Sequence, residues 1–358
     1  MTGAIHQFVP MLHRGDAVGR HTLRLREVVV ARGIRSHIYV EMDDPDTASE
    51  TRPFASYADE AEHGDVLVYQ FATASAIASW LLGRAEPLVV NYHNVTPPEL
   101  MAPWNNYLAR GQLQAQRDLR LLAPRAALAV ADSAYNEAEL RQAGFTRTAV
   151  VPPAAMLSVA VGPATSRRTP PPSGAHWLFV GRLAPNKAIE DTVAALLVAR
   201  RHHDPSATLE VVGRPVVSTY ADALRRYVDG LGLHDAVNFR GVLSDAEVAA
   251  SLARADVLVV TSRHEGFGVP VLEAMASRLP VVANDAGALP EVVGDAGLLV
   301  DASNPYAVAG AVDRLVRDED LRERLAQAAA RRLEELDLGS ASDRAADLVV
   351  SVLGGEAG

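Results

Sequence analysis

At 358 residues the chain is too long for one typical hydrophobic core, and it predicts two domains of roughly 150–180 residues each. A net charge of −10 excludes a general nucleic-acid binder, and the absence of cysteine excludes disulfides, thiolate nucleophiles and zinc–sulfur sites. The opening MTGAIHQFVPMLHRGD lacks the basic start and long apolar core of a signal peptide, and no run approaches the ~20 apolar residues of a membrane span. A cytoplasmic protein is expected.

In chain order, a short strand near Gln7 leads into the polar glycine turn His13–Gly19 and then a helix carrying Leu23, Val28 and Val30. Strands are predicted at Ile38–Val40, Asp65–Tyr69, Pro87–Tyr92, Leu128–Ala131 and Ala149–Pro152. Helices are predicted at Ile77–Leu82, Tyr107–Leu122 and Asn136–Gly144, and residues 43–50 read as an acidic loop. Pro152-Pro153 and Pro170-Pro171-Pro172-Ser173-Gly174 bracket a linker. A second alternating series follows. Its strands are Trp177–Val180, Leu209–Val212, Val237–Phe239, Val257–Val260 and Val281–Ala283, and its helices Ile189–Arg201, Tyr220–Leu231, Asp245–Ala253 and one opening at Pro270. Near the end, Ala345, Leu348, Val349, Val352 and Leu353 form one apolar helical face that needs a surface to cover.

Alternating strands and helices mean a parallel sheet in each half, an α/β protein of two doubly wound domains. Ligands of such sheets bind beyond the carboxyl ends of the strands. The expected site therefore includes Gly15-Asp16, His93-Asn94, Asp132-Ser133, Gly181-Arg182, Gly213-Arg214, Gly241 and His264–Gly268.

Of the 34 basic residues only Lys187 is lysine, and it lies five positions after Arg182 at a strand end. Arginine offers a fork and lysine a point charge to phosphate oxygens, while the amides of Gly266–Gly268 and the helix opening at Pro270 add a positive dipole. This set suits a diphosphate; the alternative is a solvated loop pair. Glu273 is either a helix-dipole carboxylate or a bidentate acceptor for ribose hydroxyls. Glu265 either caps the glycine loop or meets a reacting sugar. His93 is either a satisfied histidine or a catalytic one, and Asp16 either holds its own turn or faces a ligand. No His-x3-His, HExxH, GxSxG or Walker loop is present, and no GxGxxG stands at the first turn of either half.

These motifs resemble the retaining glycosyltransferases of family 4, which have the GT-B fold. The Glu-x7-Glu spacing of Glu265 and Glu273, Phe179-Val180-Gly181-Arg182 with Lys187, Val237–Gly241, and Gly287 with Pro290-Glu291 carry the resemblance. It implies two Rossmann-like domains facing a cleft: residues 1–155 for the acceptor, a linker at 156–174, residues 175–340 for the donor, and a helix at 341–354 crossing back onto the first domain. Ser277-Arg278-Leu279 departs from the usual small, glycine-containing turn, and Ala288 from a common second glycine.

The resemblance further implies transfer of a hexosyl group from a nucleotide-diphosphate sugar, of UDP or GDP type, in glycan or glycoconjugate biosynthesis. No further cofactor and no metal are implied. Arg182 and Lys187 would hold the diphosphate, Glu273 the ribose, and Gly266, Phe267, Gly268 and Val269 the donor phosphate and sugar. Glu265 would contact sugar hydroxyls, His93 would lie near the anomeric carbon, Gly15 and Asp16 would close near the diphosphate or acceptor, and backbone about Gly213 and Val242 would read the base. The acceptor is a small molecule, glycan or lipid-linked sugar, with at most peripheral membrane contact; Arg14, Arg20 and Arg24 make only a thin basic face. A sugar-nucleotide epimerase or hydrolase of this fold, or a non-catalytic sugar-nucleotide sensor, is the alternative.

Overall fold

A computed structural model describes residues 3–153 and 174–355. The described residues fall into two compact units, 3–98 with 107–153 and 337–355, and 99–106 with 174–336. The expected linker lies almost wholly outside the described residues.

The first unit holds a parallel sheet of seven strands: β1 (Ile5–Met11), β2 (Ile38–Met42), β3 (Thr51–Pro53), β4 (Val66–Phe71), β5 (Leu88–Tyr92), β6 (Ala126–Ala131) and β7 (Thr148–Val150), ordered β3-β2-β1-β4-β5-β6-β7. The central strands read as unbroken apolar runs because both faces are covered. Phe8, Leu67, Tyr69 and Phe71 join an aromatic cluster on one face. On the other, Ile5, Val66, Val68 and Val89 meet the C-terminal helix Leu338–Leu353 through Ala341, Ala345, Val349 and Val352. The apolar face read near the chain's end thus completes this unit. Strand β3, which follows the stretch read as an acidic loop, was not expected; it is short and half exposed.

The second unit has six parallel strands: β8 (His176–Val180), β9 (Thr208–Val212), β10 (Val237–Gly241), β11 (Val257–Val260), β12 (Val281–Asn284) and β13 (Leu298–Val300), ordered β10-β9-β8-β11-β12-β13. Residues 99–106 cluster here and not with the N-terminal unit, because the Trp104 ring meets Tyr220 edge-on at 5.1 Å and Thr219 Oγ1 donates to the Trp104 carbonyl at 3.0 Å. Helices Pro305–Arg317 and Glu319–Glu335 complete the unit.

In both sheets the order runs outward from the first strand and then restarts on its other side. The crevice between β8 and β11, and likewise between β1 and β4, is a topological switch point, where the loops leave in opposite directions and expose the strand ends.

Candidate nucleotide-sugar site

In the second unit the switch point brings together the loops that follow β8 and β11. After β8 the chain passes Gly181 and Arg182, forms the short 3-10 turn Pro185–Lys187, and enters the helix Ile189–His202. Buried Asn186 pins this turn to the other loop: its side chain donates to the His264 carbonyl at 3.2 Å and its own carbonyl accepts from Arg263 N–H at 2.8 Å. Thr261 Oγ1 adds a bond to the Ala188 carbonyl at 2.9 Å. Two segments more than 70 residues apart in sequence therefore form one rigid cradle.

Lys187 reaches across that cradle. Its Nζ donates to Glu265 Oε1 at 2.5 Å, and Ser262 Oγ donates to the same oxygen at 2.9 Å. Both charged side chains are largely buried, at 13% and 11% exposure. The sequence reading assigned this site two free cations; the structure gives Lys187 a carboxylate partner, so Arg182 is the unneutralised charge. Arg182 is exposed, and among the described residues its guanidinium has no ion-pair partner.

The backbone of Glu265 is held just as closely. Ala288 N–H donates to its carbonyl at 2.9 Å. Gly287, at φ +59, passes so near that a Cβ there would sit 2.6 Å from the Glu265 carbonyl oxygen and 2.8 Å from its nitrogen. Only glycine fits both the conformation and the approach. Asn284 supports the same loop, donating to the Ser262 carbonyl at 3.0 Å.

Beyond Glu265 the chain runs through Gly266 and buried Phe267 to Gly268, whose φ of +99 turns it into the helix Val269–Ala276. Among the described residues no side chain caps this helix, and Pro270 lies in its first turn. Its N-terminal amides and half-buried Val269 therefore present a positive dipole end suited to an anion. Glu273 is 4% exposed, one turn along the same helix. Val242 is 74% exposed and follows the edge strand β10, with β9 between that strand and β8. The departures noted in the sequence have structural counterparts. Arg278 adopts φ +53 at the end of the signature helix, where glycine is favoured, and Ala288 is fully buried.

The first unit places His93 directly after β5. Its Nδ1 lies 3.0 Å from an Asp132 carboxylate oxygen and its Nε2 2.7 Å from Gln70 Oε1. A directional chain fixes that amide: Gln70 Nε2 donates to Gln7 Oε1 at 2.7 Å, and Gln7 Nε2 donates to the Thr22 carbonyl at 2.9 Å. Because the last acceptor is a backbone carbonyl, every amide in the row must point the same way. Asn91 joins from β5, donating to Gln70 Oε1 at 3.1 Å and approaching His21 Nε2 at 2.7 Å. Burial, and next the neighbouring His93, push His21 down to about 3, so its Nε2 accepts from Asn91.

The His93 side chain is only 2% exposed while the residue as a whole is half-buried, so its exposed surface lies on the main chain. Asn94 follows at φ +78, with its side chain held by Asn136 at 2.8 Å and Glu139 at 2.9 Å. Both ring nitrogens have partners inside the protein, which is the arrangement of the satisfied-histidine alternative. The sequence reading missed Gln70, Gln7 and Asn91, although each is a polar residue inside an apolar strand. It also missed Ser262 and Asn186.

Asp16 is the N-cap of the helix Ala17–Ala31, its carboxylate accepting from Gly19 N–H at 2.7 Å. Gly15 N–H donates to His13 Nδ1 at 2.9 Å. The turn-holding alternative for Asp16 is the one its geometry serves.

Residues 169–332 match the family model of glycosyl transferases group 1. The chain is 31% identical over 158 residues to alpha-D-kanosaminyltransferase of Streptomyces kanamyceticus, covering 43% of this chain and 39% of that protein. It is 34% identical over 169 residues to glycogen synthase of Mycobacterium tuberculosis, covering 46% and 40%. The matches thus span about two fifths of the length of these curated relatives. The crystal structure of Anabaena HepE in complex with UDP-glucose superposes with a TM-score of 0.74 at 20% identity, covering 97% of this chain and 99% of that one. Fold and neighbours define an α/β protein of the GT-B class. Its second unit carries the segment similar to group 1 glycosyl transferases.

Proposed function

We propose that the protein is a retaining glycosyltransferase of family 4. It moves a hexosyl group from a nucleotide-diphosphate sugar, of UDP type, to an acceptor hydroxyl without a metal ion. The observation that carries this reading is the switch-point cradle of the second unit: exposed Arg182 beside the Lys187–Glu265 pair, next to a helix end that no described side chain caps. Arg182 and the helix amides bind the diphosphate. As its charge arrives, Lys187 turns from Glu265 towards phosphate, and Glu265 is released to sugar hydroxyls. Glu273 holds the ribose. The likeness to HepE, whose structure holds UDP-glucose, supports a UDP donor.

Chemically, the bond from the anomeric carbon to the diphosphate oxygen breaks while the acceptor oxygen bonds to the same face. The acceptor's proton passes to the departing diphosphate. Positive groups aimed at that leaving charge are each worth about 2–4 kcal/mol when preorganised. In the first unit the His93 ring is held by Asp132 and Gln70.

The test is turnover of UDP-glucose with a panel of glycoside acceptors, followed by proton NMR of the product. UDP release with a product of the donor's own anomeric configuration is expected, and an inverted product overturns the mechanism. Glu265→Ala should abolish turnover while nucleotide affinity persists, whereas a sensor would show no turnover to lose.

A further inference from the structure

The turn that carries Lys187 rests on a residue from outside both loops of the cradle. Lys187 ends the 3-10 turn Pro185–Lys187, and the next residue, Ala188, is fully buried at φ +47. An alanine in the left-handed region is unfavourable and persists only where its neighbours hold it there. Ala188 also has no side chain with which to cap the helix Ile189–His202 that begins one residue later. Two hydroxyls hold this junction instead. Thr261 Oγ1 donates to the Ala188 carbonyl, and Ile189 N–H donates to the hydroxyl of Tyr220 at 2.9 Å.

Tyr220 lies in the first turn of the helix Ser218–Gly230, which follows β9, and is 2% exposed. Its hydroxyl donates to Glu190 Oε2 at 2.5 Å while accepting from Ile189, so both its donor and an acceptor site are used on the same helix start. Burial, and next the Glu190 carboxylate, hold the phenol well above its usual range, so the donated proton stays in place. Glu190 Oε1 in turn pairs with Arg263 at 3.2 Å, and Arg263 N–H donates to the Asn186 carbonyl. The Tyr220 ring is met edge-on by Trp104, with 5.1 Å between ring centroids.

A buried tyrosine commonly finds some partner for its hydroxyl. What sets this one apart is the group it accepts from: the first N–H of the helix that starts two residues after Lys187. We propose that Tyr220 is a positioning residue of the diphosphate cradle, its hydroxyl fixing the Ala188–Ile189 junction and with it the direction in which Lys187 leaves the turn. The inference rests on the reading of this cradle as a diphosphate site, and adds to it a residue that neither loop contains. Phenylalanine fills the same ring volume but leaves the buried Ile189 N–H without its acceptor.

The experiment compares the full chain with Tyr220→Phe by amide hydrogen exchange and by calorimetric titration of UDP. Exchange in peptides spanning residues 185–192 should quicken about fivefold, with the strands of the first unit unchanged, and UDP should bind about fivefold more weakly. Glu190→Gln keeps an acceptor for the phenol and should retain the protection of these peptides. In a Lys187→Ala background Tyr220→Phe should weaken UDP binding no further, since a residue acting through Lys187 then has nothing left to position. Urea melts establish that each variant folds; Glu190→Ala, which removes the phenol's acceptor and keeps the ring, should loosen the same peptides if Tyr220→Phe does not fold. Unchanged exchange at 185–192, equal UDP affinity in the native chain and Tyr220→Phe, or losses that add to those of Lys187→Ala each overturn the inference while the diphosphate reading stands. No binding of UDP by the native chain overturns that reading, and the inference with it.

Discussion

Lys187 and Glu265 illustrate how a single contact reorganises a site. Each alone could be a ligand for a donor; together they neutralise one another at 2.5 Å until something displaces the carboxylate. Such a buried pair contributes little net stability, since desolvation offsets the attraction, and its value lies in the defined geometry it holds. That geometry depends on Gly287. Gly287→Ala forces a methyl against the Glu265 backbone at 2.6 Å in a left-handed conformation, which should cost about 1–3 kcal/mol and displace Glu265. The expected outcome is a lowered unfolding midpoint in urea together with loss of turnover; unchanged turnover would show that the Glu265 backbone need not be held. The two glutamates and the lone lysine stand out in the sequence, but their pairing does not. A contact across 78 residues depends on which strands are neighbours, and that is a property of topology.

At the scale of elements, Asp16 separates two uses of one carboxylate. As an N-cap accepting from Gly19 at 2.7 Å, it stabilises the helix Ala17–Ala31. Asp16→Ala should therefore lose about 1 kcal/mol in urea unfolding, and Asp16→Asn should recover most of it with nucleotide affinity unchanged. A fall in affinity without loss of stability would return Asp16 to the ligand. The strands around it were legible because buried parallel strands are written as unbroken apolar runs, such as Val66-Leu67-Val68-Tyr69 and Val257-Leu258-Val259-Val260. Strand β3 was not, because Thr51, Arg52 and Pro53 at a half-exposed edge carry no such signal. The polar row Gln7, Gln70 and Asn91 was hidden for the opposite reason: isolated polar residues in apolar strands acquire meaning only when the register aligns them. Gln70 pairs with Asn91 across β4 and β5, and Gln7 lies beside Val68 across β1 and β4.

For the whole molecule, the buried histidines set an acid limit. His21 is lowered to about 3 by burial, and His6 is also lowered, burial outweighing the attraction of Asp65. In the unfolded chain both bind protons near pH 6.5, whereas the folded chain resists protonation until the pH is far lower. Stability is therefore complete above about pH 6.5 and falls as pH drops towards 3. By pH 5 His21 alone accounts for about 2 kcal/mol. Urea midpoints at pH 7.5 and 5 measure this, and His21→Gln should flatten the difference; a midpoint independent of pH across that interval would contradict the burial account.

The two sheets, with their shared outward-and-restart order, explain why the chemistry gathers after β8 and β11. The central claim, that this cradle binds a nucleoside diphosphate through Arg182, is tested most directly by calorimetric titration of UDP in the presence of a chelator. The account predicts saturable binding to the native chain and, in Arg182→Ala, affinity weaker by about tenfold or more with the fold intact. Equal affinity in the two proteins, or no binding of UDP to the native chain, would contradict it.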